Sequence, residues 1–257
     1  MKIGIIGIEN SHAAAFSEIL AGMGIEAVVD DNLKPSADLD GLMVVRRDGK
    51  FHKEIAMPFI RAKIPVWLDK PITVDPAEAE ELLAVAQELG VPVTGGSTAK
   101  FDPFFVHIAE RIANGEFGDV LSAMMNLSGM PESPYSGIHF YAHHLSEIML
   151  TLFGYEVRSL RAIRRGNNIV CQVHYDNVNV VLNFQDHIYQ CCLSVLGTAD
   201  SLIAKTTLDD GYRHGVEAFV EMIQTGKPPV EYDKLIYPIH LVNAIRQSYL
   251  TDKEIVL

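Results

Sequence analysis

The sequence predicts an α/β protein: a short parallel sheet in the N-terminal part, followed by an α+β half built on a mainly antiparallel sheet. Three observations carry this. Short apolar runs alternate with helical runs through about residue 100, the pattern of strand–helix–strand units. Residues 2–7 form a continuous apolar strand that ends in Gly7 and leads into a helical run from Ala13 to Gly22. Beyond residue 113 the apolar runs lengthen, become rich in Val, Leu, Ile, Asn and Tyr, and are separated by turn residues such as Gly166-Asn167-Asn168.

Taken in order, the opening strand, glycine turn and helix resemble the start of a nucleotide-binding βαβ unit, so the first half reads as Rossmann-like. With Gly7 as first glycine, Glu9 occupies the second glycine position and His12 the third. The second glycine normally lets the backbone approach a pyrophosphate. Two like charges about 5 Å apart at an effective dielectric of ~20 repel by roughly 3 kcal/mol. Glu9 is therefore expected to turn away from a bound dinucleotide or to weaken it. Asn10 or Ser11 is suited to cap the helix. These five positions, Gly7, Glu9, Asn10, Ser11 and His12, form the first part of the expected cofactor site.

The second strand, from Ile25 to Val29, ends at Asp30-Asp31. Asp30 lies near the ~20-residue offset at which a carboxylate binds a ribose diol. That charge favours NAD over NADP, because it repels a 2′-phosphate; its other reading is a polar turn. A third strand, Gly41 to Val45, ends in Arg46-Arg47. These arginines are placed to grip an anion such as a pyrophosphate, or else to pair with Asp30, Asp31 or Glu9. Helix 52–62 follows. The strand Val66-Trp67-Leu68 then runs into Asp69-Lys70-Pro71, which sets one ammonium at the carboxyl edge of the sheet, where open α/β sheets bind ligands. Pro76 opens the next helix, Val91 to Val93 reads as a short strand, and Gly95 to Thr98 as a turn.

After 104–113 the pattern changes, and the second half is expected to hold sheet segments at 119–128, 156–164, 168–184 and 187–195, interrupted by a helix at 140–153. Helices near 211–225 and 233–250 close the chain. The domain boundary falls at 103/104, giving a nucleotide-binding domain over 1–103 and an α+β substrate-binding and oligomerisation domain over 104–257.

Composition narrows the function. The 257 residues carry a net charge of −12, which argues against nucleic-acid or anionic-membrane partners. No run approaches the ~18 apolar residues needed to span a bilayer, and Met1-Lys2 leads straight into a strand rather than an export segment. Cys171, Cys191 and Cys192 lack metal-site spacing and read as thiols of a reduced, cytoplasmic protein.

Several segments together resemble the Gfo/Idh/MocA oxidoreductases, the family of glucose–fructose oxidoreductase and inositol dehydrogenase. Asp69-Lys70-Pro71 stands where that family has Glu-Lys-Pro. Gly96 to Pro103 is similar to its Gly-x-x-x-Arg-Phe-x-Pro segment, with Lys100 at the arginine. Asn114 to Val120 resembles the lead-in to its second domain. His144-Leu145-Ser146-Glu147, ending in Leu152-Phe153-Gly154, is similar to its His-x-x-Asp helix. The chain reads as a shortened, divergent member, with the family's second helix and third strand absent between Asp30 and Gly41 and Phe140 in place of an aspartate four residues before His144.

The resemblance implies an NAD(P)-dependent dehydrogenase that takes hydride from a hydroxyl-bearing carbon of a sugar or polyol. By it, Lys70 and His144 are the catalytic residues and Asp69 joins the cofactor side. Lys100, Tyr135, His139 and His143 are expected at the substrate, and a homodimer or dimer of dimers formed through the broad sheet is implied. His139, His143 and Glu147 share one helical face, the spacing of a metal site; with His144 off that stripe, no metal is assigned. The rival reading is a non-catalytic sensor on the same scaffold, and a third is metal-dependent isomerase or lyase chemistry.

Overall fold

The computed structural model describes residues 1–257. They form two compact units, Met1–Thr98 with Tyr212–Ile239, and Ala99–Gly211 with His240–Leu257.

The first unit is a five-stranded, wholly parallel sheet of β1 (Lys2–Ile6), β2 (Glu26–Val29), β3 (Gly41–Val44), β4 (Val66–Asp69) and β5 (Val93–Gly96), in the order β2-β1-β3-β4-β5. The central strands are covered on both faces, which is why they read as unbroken apolar runs: β3 and β4 are buried at every position. One face meets α2 (His52–Arg61) and α3 (Pro76–Leu89) through Leu42, Val44, Val66 and Leu68 against Phe59, Ile60, Leu82 and Leu83. On the other, the Trp67 ring takes edge contacts from Phe16 of α1 (Ser11–Gly22) at 6.3 Å and from Phe219 at 6.2 Å. Each of these large side chains, fully buried, stabilises the unit by about 1.5–3 kcal/mol.

β5 sits further along than the sequence pattern indicates, and Gly95 and Gly96 lie inside it rather than in a turn. The reason is close approach: a Cβ on Gly95, at φ +153°, would stand 1.8 Å from the Leu68 carbonyl oxygen.

The second unit carries a seven-stranded sheet. Its strands are β6 (Val120–Leu127), β7 (Ser159–Arg165), β8 (Asn168–His174), β9 (Asn179–Phe184), β10 (Cys191–Gly197), β11 (Ser201–Thr206) and β12 (Ile255–Val256). The order is β11-β10-β6-β9-β8-β7-β12, antiparallel except for the β6–β9 pair. The single long segment expected over 168–184 is a hairpin, broken at Asp176-Asn177. Strict alternation leaves Met125, Leu127, Cys171, Val173, Leu182 and Phe184 buried on one face. Leu121, Met124, Ile163, Val170, Leu196 and Ile203 stay exposed. Burial pushes the Cys171 thiol up, and the Cys191 thiol up to about 12. This unit also contains α4 (Pro103–Ala113) and α5 (Ala142–Phe153), while α6 (Asp210–Thr225) and α7 (Tyr232–Thr251) close the chain. No helix is long and apolar enough to cross a membrane.

Candidate functional site

At the carboxyl edge of the parallel sheet, β1 gives way to a turn that only glycine fits. Gly7 has φ +126°, and a Cβ there would meet the Arg46 nitrogen at 2.6 Å. The Asn10 side-chain oxygen then caps α1 by accepting from the His12 N–H at 3.2 Å, while its amide nitrogen donates to the Val45 carbonyl at 2.8 Å. Asn10 thus ties the helix start to the end of β3; Ser11 is the exposed first residue of α1.

The acidic residue at this turn is Asp31, which the sequence reading did not select. Its Oδ1 accepts from the Gly7 N–H at 2.7 Å and the Ile8 N–H at 3.1 Å. Asp30 is engaged locally instead, accepting from the Asn32 N–H at 2.8 Å. The arginines form ion pairs here. Arg46 Nε lies 3.0 Å from Glu9 and its Nη1 lies 3.4 Å from Asp31, and the Arg47 N–H donates to Glu9 at 3.2 Å. Glu9 is therefore partnered rather than an unopposed charge in the turn. Asp31 and Arg46, with Leu33, Pro35, Phe51 and Ile55, line a cavity of about 650 Å³.

The end of β4 holds a buried polar cluster. Asp69 is 1% exposed and Lys70 4%, and the Lys70–Pro71 peptide is cis. Asp69 Oδ2 lies 2.8 Å from His12 Nδ1 and accepts from Asn10 Nδ2 at 3.4 Å, and Asp69 Oδ1 has no hydrogen-bond partner. Burial opposes ionisation of Asp69, but His12, Lys70 and His52 together outweigh it, so the carboxyl is held below its usual range. On its far side His12 Nε2 lies 2.9 Å from the hydroxyl of Tyr212. His52, fully buried, lies with Nε2 2.9 Å from the Arg46 carbonyl, and burial pushes its pKa down.

In the second unit, Lys100 and Glu147 make a buried ion pair at 2.7 Å, with side chains 8% and 5% exposed. The partner of Glu147 is thus an ammonium. His139 Nδ1 lies 3.4 Å from His143 Nε2, and the His144 ring stands edge-on to Tyr141 at 4.8 Å. The Tyr135 ring leans on Phe140 at 5.1 Å, and Tyr141 is pushed up to about 12 by burial.

The first unit therefore gathers Gly7, Glu9, Asn10, Ser11, His12, Arg46, Arg47, Asp69 and Lys70 along one sheet edge. The second gathers Lys100, Tyr135, His139, His143 and His144 around α5. Asp30 lies one position from Asp31, the carboxylate that accepts from the Gly7 turn. The Tyr212–His12 contact spans 200 positions, and nothing local in the sequence marks it.

Residues 1–97 match the model of the GFO_IDH_MocA oxidoreductase family, described as an NAD-binding Rossmann fold. Inositol 2-dehydrogenase of Corynebacterium glutamicum strain R is 26% identical over 137 residues, 53% of this chain and 39% of that enzyme. Its counterpart in Leifsonia xyli subsp. xyli is 33% identical over 109 residues, 42% of this chain and 32% of the relative. The chain thus spans under two fifths of the length of these relatives. The fold is shared along the whole chain with a putative myo-inositol dehydrogenase of Sinorhizobium meliloti 1021 (TM-score 0.81, 18% identity, 100% of this chain and 99% of that one). It is also shared with GenD2 of gentamicin A biosynthesis, solved in complex with NAD (TM-score 0.80, 15% identity, 100% and 96%).

Proposed function

We propose, from the match of residues 1–97 to the oxidoreductase family model with its NAD-binding Rossmann fold, that the chain is a Gfo/Idh/MocA oxidoreductase acting as an NAD-dependent dehydrogenase of a polyol or sugar-like substrate. The observation that carries the cofactor half is the cavity of about 650 Å³ beside the Gly7 turn. Its size suits a nucleoside. Its walls combine a carboxylate, Asp31, for a ribose diol with apolar surface from Leu33, Pro35 and Phe51 for a base. The same carboxylate disfavours a 2′-phosphate, so NAD is the expected form. Arg46, Arg47 and the start of α1 supply positive charge for the diphosphate.

The bound cofactor supplies the hydride acceptor. What the chain supplies is recognition and proton handling. Lys70, buried at the end of β4, is assigned to hold the substrate hydroxyl. His144, on the first turn of α5, is assigned as acid/base, with imidazole suited to that exchange near neutral pH. Lys100, Tyr135, His139 and His143 are assigned to the substrate side. The exposed apolar face of the seven-stranded sheet is assigned to a homodimer or dimer of dimers. A reducing, cytoplasmic setting accords with the thiols of Cys171 and Cys191 buried in the sheet.

Titration with NADH and NADPH, followed by quenching of the single tryptophan, Trp67, tests this reading. Saturable NADH binding with weaker NADPH binding is expected. No binding at millimolar cofactor would remove the dehydrogenase reading.

A further inference from the structure

The second unit holds a cavity of about 990 Å³ that the dehydrogenase reading does not use. It is bounded by the carboxyl ends of α4 and α5, the start of β6 and the β8–β9 turn. We propose that it binds a small aliphatic diamine, whose methylene chain lies on an apolar floor and whose ammonium groups face Glu110 and Asp119. The inference stands independently of the dehydrogenase reading.

Its place on α5 sets it apart from the site described above. His144 stands on the first turn of that helix, whereas Thr151, Leu152 and Phe153 of the last turn line the cavity. At about 1.5 Å per residue, ~13 Å of helix separates His144 from Phe153. The volume suits a small organic molecule.

Charge selects a cation. Glu110 and Asp119 are the charged residues of the lining, which contains no Lys, Arg or His, and neither carboxylate is engaged in a hydrogen bond or ion pair. Two helices also end here, at Ala113 and Phe153, and the carboxyl end of a helix carries about half a negative charge. A basic residue in the last turn ordinarily offsets that charge, and α5 has none. The Arg111 guanidinium of α4 is engaged away from the cavity, 2.8 Å from Glu116, 2.7 Å from Asp200 and over the Phe117 ring at 4.6 Å. The negative charge of the cavity is therefore uncompensated, and an anionic ligand is disfavoured there.

The rest of the lining selects among cations. Ile112, Leu152, Phe153 and Val178 present hydrocarbon to the cavity. A hard divalent metal ion needs several close oxygen ligands, and no three His, Cys, Asp or Glu side chains gather here to hold one. An alkyl chain covers the apolar floor and keeps its charged ends in contact with water and carboxylate, as a lysine stem does. A lysine side chain of a peptide would bring one ammonium to two carboxylates. A diamine brings two, each with three N–H donors.

Calorimetric titration of the full chain with cadaverine at low ionic strength tests the site, with pentylamine, pentanediol and the tripeptide Ala-Lys-Ala as comparison ligands. Cadaverine should bind with a Kd below ~1 mM, pentylamine ~10-fold more weakly and pentanediol not at all, and added salt should weaken the diamine. Glu110→Gln and Asp119→Asn should each weaken cadaverine ~5–10-fold. Glu88→Gln, which removes the same charge from α3 in the first unit, should leave the Kd within about twofold. In amide NMR spectra Val120 and Val178 should shift on titration. No cadaverine binding at ~10 mM overturns the proposal, as do equal losses in all three variants, which would make binding a response to net charge alone. Tighter binding of the tripeptide than of cadaverine would also overturn it, in favour of a protein partner.

Discussion

The Asp31 carboxylate closes the turn after β1, accepting from the Gly7 amide at 2.7 Å and keeping its second oxygen toward Arg46. It stiffens the loop from within and lines the cavity proposed for the adenosine end of the cofactor. Asp30, its neighbour, points elsewhere and caps its own turn.

That pair predicts an asymmetric outcome. Asp31→Asn should weaken NADH binding ~10-fold, equivalent to about 1.4 kcal/mol, and reduce the preference over NADPH. Asp30→Asn should leave both affinities within about twofold. Parallel fluorescence titrations of the two variants decide it, and equal losses would detach Asp31 from the ribose.

Stability should fall on the acid side through His52. Its folded-state pKa lies below the ordinary 6.5 because burial disfavours imidazolium. Between that value and 6.5 the unfolded chain binds the extra proton, so the contribution is complete above 6.5 and declines as pH falls toward the folded pKa. Asp69, whose folded pKa is also depressed, adds a loss at still lower pH. Melting temperatures measured from pH 8 down to pH 5 should drop for the wild type and drop less steeply for His52→Gln.

The Lys100–Glu147 pair should be costly to split and cheaper to remove whole. Glu147→Leu alone leaves a buried ammonium unpaired and should cost about 3–5 kcal/mol. The double variant Lys100→Met with Glu147→Leu should recover most of that loss. Urea denaturation of the set gives the coupling directly, and additive losses would mean that the ion pair is not the unit of stability.

The exposed face of the seven-stranded sheet should govern assembly. Met124 is 46% exposed and Ile203 83%, and the paired registers place both on the strands flanking Ser194. Met124→Glu with Ile203→Glu should convert the proposed dimer to a monomer in light scattering at micromolar concentration. An unchanged mass would move the interface elsewhere.

Much of this molecule was legible before folding was considered. Mostly unbroken apolar strands of four or five residues, all but the second followed by a helix, point to a parallel sheet covered on both faces, and alternating runs after residue 113 point to a sheet with one open face. The position of Lys70 at a strand's carboxyl end followed from Trp67-Leu68 before it and Pro71 after it. The glycines of β5 were misplaced because a close approach to Leu68 leaves the same local mark as a turn.

What the linear order left open was decided by register and by packing over long separations. Successive residues of an extended chain point opposite ways, so the choice between Asp30 and Asp31 depends on how β2 lies against β1, with Ile5 beside Val29. Likewise Arg46 had three carboxylates within reach of its sequence neighbourhood and takes Glu9 and Asp31. Tyr212 meets His12 only because the segment from residue 212 to 239 returns to the first unit. Local chemistry writes the elements and their faces; which buried polar groups touch is settled by the three-dimensional burial that makes leaving any of them unpaired expensive.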